Sequence, residues 1–190
     1  MSAFRLILLL CFGFLRAYAQ GLPQAPKTGI HDDSHALTVD SQKLLEREIR
    51  DFRLKHETDV WFVATTFLRD GQTPLSEART LRQAWSGSGA SVLLFYDRSR
   101  DQEMISYSPV MWERLPTAGL FRLRDKIRAL MMDTSKPSQE RLHESMHQLM
   151  VGLGTLYAQE AGVAKIRTRD YFRLLAAFAT ALMLGAVLFG

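Results

Sequence analysis

Apolar residues recur along the central part of the chain at two spacings, one typical of helices and one typical of strands. Residues 40–56 carry an apolar stripe at helical spacing from Leu44 to Phe52. This stripe predicts an amphipathic helix, with Asp40 or Ser41 as its N-cap.

Two short runs rich in β-branched and aromatic residues follow this helix. Residues 59–67 and 91–96 are too short for buried helices, and their composition predicts buried strands. Residues 97–101 form a polar turn, and residues 102–108 predict a third strand that pairs back as a hairpin.

Three further segments have helical patterns. Pro74 opens a helix that runs through Trp85, residues 116–132 form another, and residues 136–160 form a long helix that starts near Ser135. The resulting order of elements predicts an α/β fold, in which a small mixed β-sheet is sandwiched between helices.

The N-terminal segment has the pattern of an export signal. Arg5 precedes an apolar run over residues 6–15, and Ala17-Tyr18-Ala19 has the small-x-small pattern of a cleavage site. We predict a signal peptide over residues 1–19, followed by a linker over residues 20–29. An uncleaved N-terminal anchor is the alternative, although the run is shorter than a spanning helix requires.

The C-terminal segment predicts one transmembrane helix over residues 171–189, which are apolar apart from Arg173 and Thr180. A basic juxtamembrane segment, residues 163–170, precedes it. The alternative is a helix buried in the protein core.

The distribution of charge and the cysteine content bear on which classes of partner the protein can bind. Six of the 24 basic residues and one of the 20 acidic residues lie outside residues 20–164, which leaves 18 and 19 inside this nearly neutral stretch. A nucleic-acid partner is therefore not expected. Cys11 is the only cysteine and lies within the signal peptide, so a disulfide-linked partner is not expected either.

The order and the amino-acid content of these segments resemble the TPM domain, a family named for thylakoid lumen, photosystem II repair and acetylcholine-receptor-modulator proteins. The resemblance covers residues 30–162. It rests on the opening Ile30-His31-Asp32-Asp33, Leu37, the strand at residues 60–66, Glu77-Ala78, the Trp85-Ser86-Gly87 break, Val92-Leu93-Leu94-Phe95-Tyr96-Asp97-Arg98, and residues 102–107.

The resemblance implies an α/β sandwich and roles near membrane complexes. It also implies divalent-cation binding, as in some members, and an acid phosphatase activity, as attributed to a plant member.

Three aspartates are the candidate metal ligands. Asp33 opens the domain, and Asp97 and Asp101 flank the turn between the second and third strands. If the N-terminal segment passes these strand ends, as the resemblance suggests, the carboxylates converge on one Ca²⁺ or Mg²⁺ ion. The alternative is ordinary turn chemistry, since aspartate favours turns for local reasons.

A second motif, His143-Glu144-x-x-His147, lies on the last predicted helix of the domain. Histidines four residues apart share a helix face and can both bind zinc, while the glutamate can activate water. The apolar stripe from Leu142 to Tyr157 places both histidines on its shoulder. No third zinc ligand follows at the expected spacing, so we favour two surface histidines over a catalytic Zn²⁺ site.

These observations predict an exported, membrane-tethered TPM-like domain on the periplasmic or another extracytoplasmic face, or in an equivalent lumen. We expect it to bind, or to assist the assembly or repair of, a membrane protein complex, and favour a non-enzymatic role. One alternative is a divalent-metal-dependent phosphatase in which Arg98 or Arg100 stabilises the negative charge that develops on the phosphoryl group. The other is a zinc metalloprotease that uses His143 and His147.

Overall fold

The computed structural model describes residues 22–189, although most side chains beyond residue 162 are outside the described set. The predicted signal peptide, residues 1–19, lies outside the described residues. Within residues 22–189, the chain forms four strands and five helices. In chain order they are β1 (Ile30–Asp32), α1 (Val39–His56), β2 (Asp59–Thr65), α2 (Pro74–Ser86), β3 (Ser91–Asp97), β4 (Gln102–Tyr107), α3 (Pro109–Arg114), α4 (Thr117–Met132) and α5 (Ser138–Phe189).

The four strands form one mixed sheet in the order β1-β2-β3-β4. The first three strands are parallel, and β2 pairs with β3 along its whole length, from Asp59 opposite Ser91 to Thr65 opposite Asp97. β4 is antiparallel to β3. The predicted mixed sheet and the predicted hairpin are therefore confirmed.

Each face of the sheet carries its own apolar core. Val60, Phe62 and Leu94 face one side and pack with residues of α1, α4 and α5. Trp61 and Phe95 face the other side and pack with residues of α2. Because β2 and β3 are buried on both faces, their sequences are continuous apolar runs with no polar alternation.

The two crossovers between the parallel strands lie on opposite faces. Both move in the same direction across the sheet, yet α1 packs on one side and α2 on the other. The two crossovers therefore have opposite hands. Since parallel crossovers are right-handed in about 98% of cases, one of these two is an exception.

Two short elements and one helix cap differ from the sequence-based expectation. β1 has three residues and α3 has six, so neither presents enough periods for a pattern to be recognised. The cap of α1 is Thr38, because its hydroxyl oxygen accepts a hydrogen bond from the Ser41 amide. The prediction of Asp40 or Ser41 as this cap was wrong by two or three residues.

Helix α5 is longer than the sequence pattern indicated. It runs for 52 residues from Ser138, through the predicted juxtamembrane segment at 163–170 and the predicted transmembrane segment at 171–189. At most positions of 171–189 the side chain lies outside the described set. Among the residues that are described, no helix combines the length and apolar character that crossing a membrane requires.

Two glycines allow α4 and α5 to approach closely. A Cβ atom at Gly119 of α4 would lie 2.5 Å from a methyl carbon of Leu156, and one at Gly152 of α5 would lie 2.4 Å from a methyl carbon of Leu123. Each helix thus places a leucine over a glycine of the other. Interiors packed this tightly respond even to one added methyl group.

We expect Gly152→Ala to lower the free energy of unfolding by about 1–3 kcal/mol, because the new methyl group overlaps the buried Leu123 side chain. Denaturant unfolding of the two proteins measures this difference. Gly162→Ala is the matched control on the same helix, since a Cβ there meets nothing within 4 Å. This control gains helix propensity of up to about 1 kcal/mol. Equal changes in both variants would contradict the close packing described.

Candidate functional site

The carboxyl ends of β1, β2 and β3 lie together at one edge of the sheet, where open α/β folds place their ligand sites. β1 ends at Asp32, whose carboxylate accepts hydrogen bonds from the Ser34 hydroxyl and from the Ala36 and Leu37 amides at 2.9–3.1 Å. Asp32 thereby shapes the loop that leads into α1.

Asp97, a predicted metal ligand, ends β3 with its side chain fully buried. Its Oδ1 accepts hydrogen bonds from the Ser99 amide, the Ser99 hydroxyl and the Arg100 amide. Its Oδ2 accepts one from Arg100 Nη1 at 2.6 Å. Burial alone would raise the pKa of this carboxyl, but the bonds from Ser99 and Arg100 outweigh it and lower the pKa below its usual value.

Asp101, the second predicted ligand, lies at the end of the same turn with a positive φ of 47°. Its carboxylate accepts a 2.7 Å hydrogen bond from the Tyr96 hydroxyl and pairs with Arg141 Nη2 at 3.0 Å. Burial opposes these two hydrogen bonds, which prevail and lower the pKa of Asp101. Burial, followed by the bond to Asp101, raises the pKa of Tyr96 to about 12. Asp101 therefore ties the hairpin to the first turns of α5.

Asp33, the third predicted ligand, has a different environment. Its side chain is 67% exposed, and Oδ2 lies 3.0 Å from His31 Nε2. Its backbone amide donates to the Ala64 carbonyl and so extends the pairing of β1 with β2. Asp33 thus faces solvent beside the sheet.

The three aspartates do not form a shared cluster. Across residues 22–189, no group of three or more His, Cys, Asp or Glu side chains could hold a metal ion. The two arginines considered for a phosphatase also have internal partners, since Arg98 donates to the Ser34 carbonyl and Arg100 to Asp97. The contacts of Asp97 and Asp101 are those of turn and hairpin residues.

His143 and His147 lie on the shoulder of α5, as the apolar stripe predicted. Leu142, Met146 and Leu149 are fully buried, whereas both histidines are partly exposed. His147 Nδ1 lies 3.2 Å from Glu48 Oε2 of α1. His143 Nε2 is buried without a hydrogen-bond partner among the described atoms.

A groove of about 600 Å³ runs between α1 and α5. Its apolar lining comes from Phe52, Met150 and Val151, and Val151 is half exposed. Its charged and polar lining residues are Glu48, Asp51, Lys55, His56, His147 and Thr155. An apolar floor with a charged rim is the usual composition of a protein-binding surface.

One end of the groove is fixed by aromatic packing. The His56 ring stacks on Tyr157 at 5.0 Å between centroids and contacts Phe52 at 4.5 Å. The Tyr157 hydroxyl lies 2.7 Å from the Thr58 hydroxyl oxygen. Burial, and secondarily the nearby charge of Lys55, lowers the pKa of His56. This end of the groove is therefore filled by packed aromatic rings, and burial makes His56 a weaker base.

Two features were not predicted from the sequence: the role of Asp32 in anchoring its loop, and the groove between α1 and α5. Asp32 could have been found from its place at the start of the turn-like Asp32-Asp33-Ser34, where an aspartate carboxylate can bond to following amides. The groove depends on which helices are neighbours, and no local signal in α1 or α5 carries that information.

Comparison with known proteins supports the fold. No protein-family model and no curated protein matches the chain. The N-terminal domain of a P. gingivalis protein is similar, with a TM-score of 0.57, 18% identity, and coverage of 67% of this chain and 83% of that one.

The N-terminal domain of the cg2496 protein from Corynebacterium glutamicum has a TM-score of 0.54 and 17% identity, and the match covers 70% of this chain and 82% of that one. The BA42 protein from the psychrophilic bacterium Bizionia argentinensis has a TM-score of 0.51 and 12% identity, with coverage of 66% and 86%. Identities this low establish a shared fold alone.

The hydrogen bonds of Asp97 allow a test of whether the stability of the protein depends on a bound metal ion. We expect Asp97→Ala to lower the free energy of unfolding by about 1.5–3 kcal/mol, because it removes hydrogen bonds to a buried charge. If these bonds are the whole role of Asp97, the loss is equal in Ca²⁺ and in EDTA, as thermal unfolding can measure. A loss confined to Ca²⁺ would instead support a metal ligand.

The lowered pKa values of Asp97 and Asp101 predict that the free energy of unfolding decreases at acid pH. An unfolded aspartate has a pKa of about 3.9. Because the folded values are lower, both groups stabilise the fold above that pH, and this stability is lost as pH falls through the folded values.

The pH dependence can be assigned with two variants. In urea unfolding from pH 6 to pH 2, Asp97→Asn should flatten the acid limb of the stability curve. Asp51→Asn, which changes a 74% exposed carboxylate, is the control. An acid limb that is unchanged in Asp97→Asn would contradict the assignment.

Proposed function

We propose that this chain is an exported, membrane-tethered, TPM-like domain that binds, or assists the assembly or repair of, a membrane protein complex. The sequence resemblance to the TPM family and the α/β fold support this proposal. The export part rests on the pattern of residues 1–19, with the domain on an extracytoplasmic face.

The observation that carries the proposal is the continuity of α5. The helix whose buried stripe completes the domain core is the same helix that enters the apolar segment 171–189. Phe172 and Leu175 are 69% and 63% exposed on it. Phe172 and Leu175 are three residues apart and so lie on one side of the helix, where a lipid bilayer would cover them.

Basic residues support the placement of this segment at a membrane. Lys165, Arg167, Arg169 and Arg173 fall within nine residues that contain one acidic residue, Asp170. Such a cluster favours anionic lipid headgroups at the end of an apolar helix.

The groove between α1 and α5 is the surface that we assign to the partner. It is lined by the helix that carries the proposed tether, so a bound protein would lie beside the membrane-anchored element. The loops at the carboxyl edge are engaged in internal hydrogen bonds, whereas the groove presents Val151 and the charged rim to solvent.

Removing residues 171–189 should move the protein from the membrane fraction to the soluble fraction of its host. The reason is that these residues are the proposed hydrocarbon-embedded segment. Fractionation followed by carbonate extraction measures the shift. Replacement of the segment with an unrelated apolar helix of equal length should restore membrane binding. A full-length chain that remains soluble would refute the tether.

The side of the membrane can be tested with one introduced thiol, since Cys11 is the only cysteine of the chain. In a Cys11→Ser background, Lys43→Cys places a thiol at an exposed position of α1 outside the groove lining. We expect a membrane-impermeant maleimide to label it in intact cells, once the outer membrane, if present, is permeabilised. Labelling that occurs only after cell lysis would place the domain in the cytosol.

A further inference from the structure

The pair His143 and His147 is unexplained by the packing of α5. The buried stripe of this helix does not include either ring, and neither bonds to the backbone of its own helix in the described contacts. Residues four apart are neighbours on one helix face, so the two imidazoles can meet at one point above the helix.

Glu48 sets the state of the His147 ring. Its Oε2 lies 3.2 Å from His147 Nδ1, and the His147 side chain is 43% exposed. A carboxylate at Nδ1 favours the tautomer that carries the proton on that nitrogen. The lone pair is then left on Nε2, as in the carboxylate–histidine pairs that surround bound metals.

His143 supplies a nitrogen that the fold does not satisfy. Its Nε2 is buried and has no hydrogen-bond partner in the described part of the chain. A buried polar atom in that state costs about 1–3 kcal/mol, which a ligand would recover. His143 and His147 are four residues apart on α5, a spacing that places both rings on one face of the helix.

The surroundings of the pair favour a cation over an anion. Glu48 and Asp51 line the groove on the side of α1, and Glu144 follows His143 on α5. Lys55 is the basic residue that lines the groove, and it lies almost two helical turns beyond Glu48. The local balance of charge is thus negative beside His147.

We propose that His143 and His147 form a two-histidine site for a divalent transition-metal ion, with Glu48 as the positioning residue. Imidazole nitrogens select ions such as Zn²⁺, Ni²⁺ and Cu²⁺ over Ca²⁺ and Mg²⁺. Because no described group of three or more His, Cys, Asp or Glu side chains could hold a metal, water completes the coordination. This site is separate from the aspartates considered for Ca²⁺ or Mg²⁺.

The test uses the full chain in detergent, prepared without a histidine tag, and Ni²⁺ or Zn²⁺ alone as the probe. Calorimetric titration should show one ion bound per chain. His143→Ala and His147→Ala should each weaken binding at least tenfold, while His35→Ala, at an exposed histidine outside the pair, should leave it unchanged. Wild-type affinity in the two variants, or the absence of binding by the full chain, would overturn the site.

Two further measurements separate a metal ligand from a packing residue. The electron paramagnetic resonance spectrum of bound Cu²⁺ should show coupling to two imidazole nitrogens, and to one in either alanine variant. Glu48→Ala should weaken binding by about tenfold and Glu48→Gln by less, since the loss of an outer-shell partner typically costs about 10–100-fold. Unchanged affinity in Glu48→Ala would remove its positioning role.

Discussion

The burial of β3 on both faces is the constraint on which the rest of the structure depends. All seven residues of this strand are buried, and its apolar side chains alternate between the two cores. Each fully buried side chain of this size contributes about 1.5–3 kcal/mol relative to exposure. Removal of either helical layer would expose one complete row of these side chains.

The polar groups at both ends of a strand buried in this way also need hydrogen-bond partners. At the start of β3, the Ser91 amide donates to the Ser108 hydroxyl, and Arg82 of α2 donates to the Ser91 hydroxyl oxygen. At its end, the Asp97 carboxylate is surrounded by donors from the following turn. Side chains thus close both ends of the central strand. The polar groups at the carboxyl end of β3 are consequently occupied by internal hydrogen bonds, while the groove between α1 and α5 is open to solvent.

Local patterns were sufficient to predict most of the fold. The helices and the three longer strands show their periods within single segments, so their existence and order could be read directly. β1 could not be recognised, because three residues define no period. The continuity of α5 was hidden by the change from an amphipathic stripe to a charged stretch and then to an apolar one. A helix can continue through all three compositions without a break.

The candidate site was less predictable than the fold. The sequence placed Asp97 and Asp101 at the correct turn, but it could not show that Ser99, Arg100, Tyr96 and Arg141 would occupy their oxygens. The contact of Glu48 with His147 joins residues 99 positions apart. Contacts of that kind follow from tertiary packing, and no motif in either segment encodes them.

Helix α5 also has a mechanical consequence. At 1.5 Å per residue its 52 residues extend about 78 Å, with no loop between the part packed in the domain and the part beyond it. A swivel needs residues that can change their backbone angles freely, and a continuous helix offers none. A rotation of the far end of α5 about the helix axis is therefore transmitted to the α/β domain. The surface that the domain presents is thus set by the rotational position of the helix.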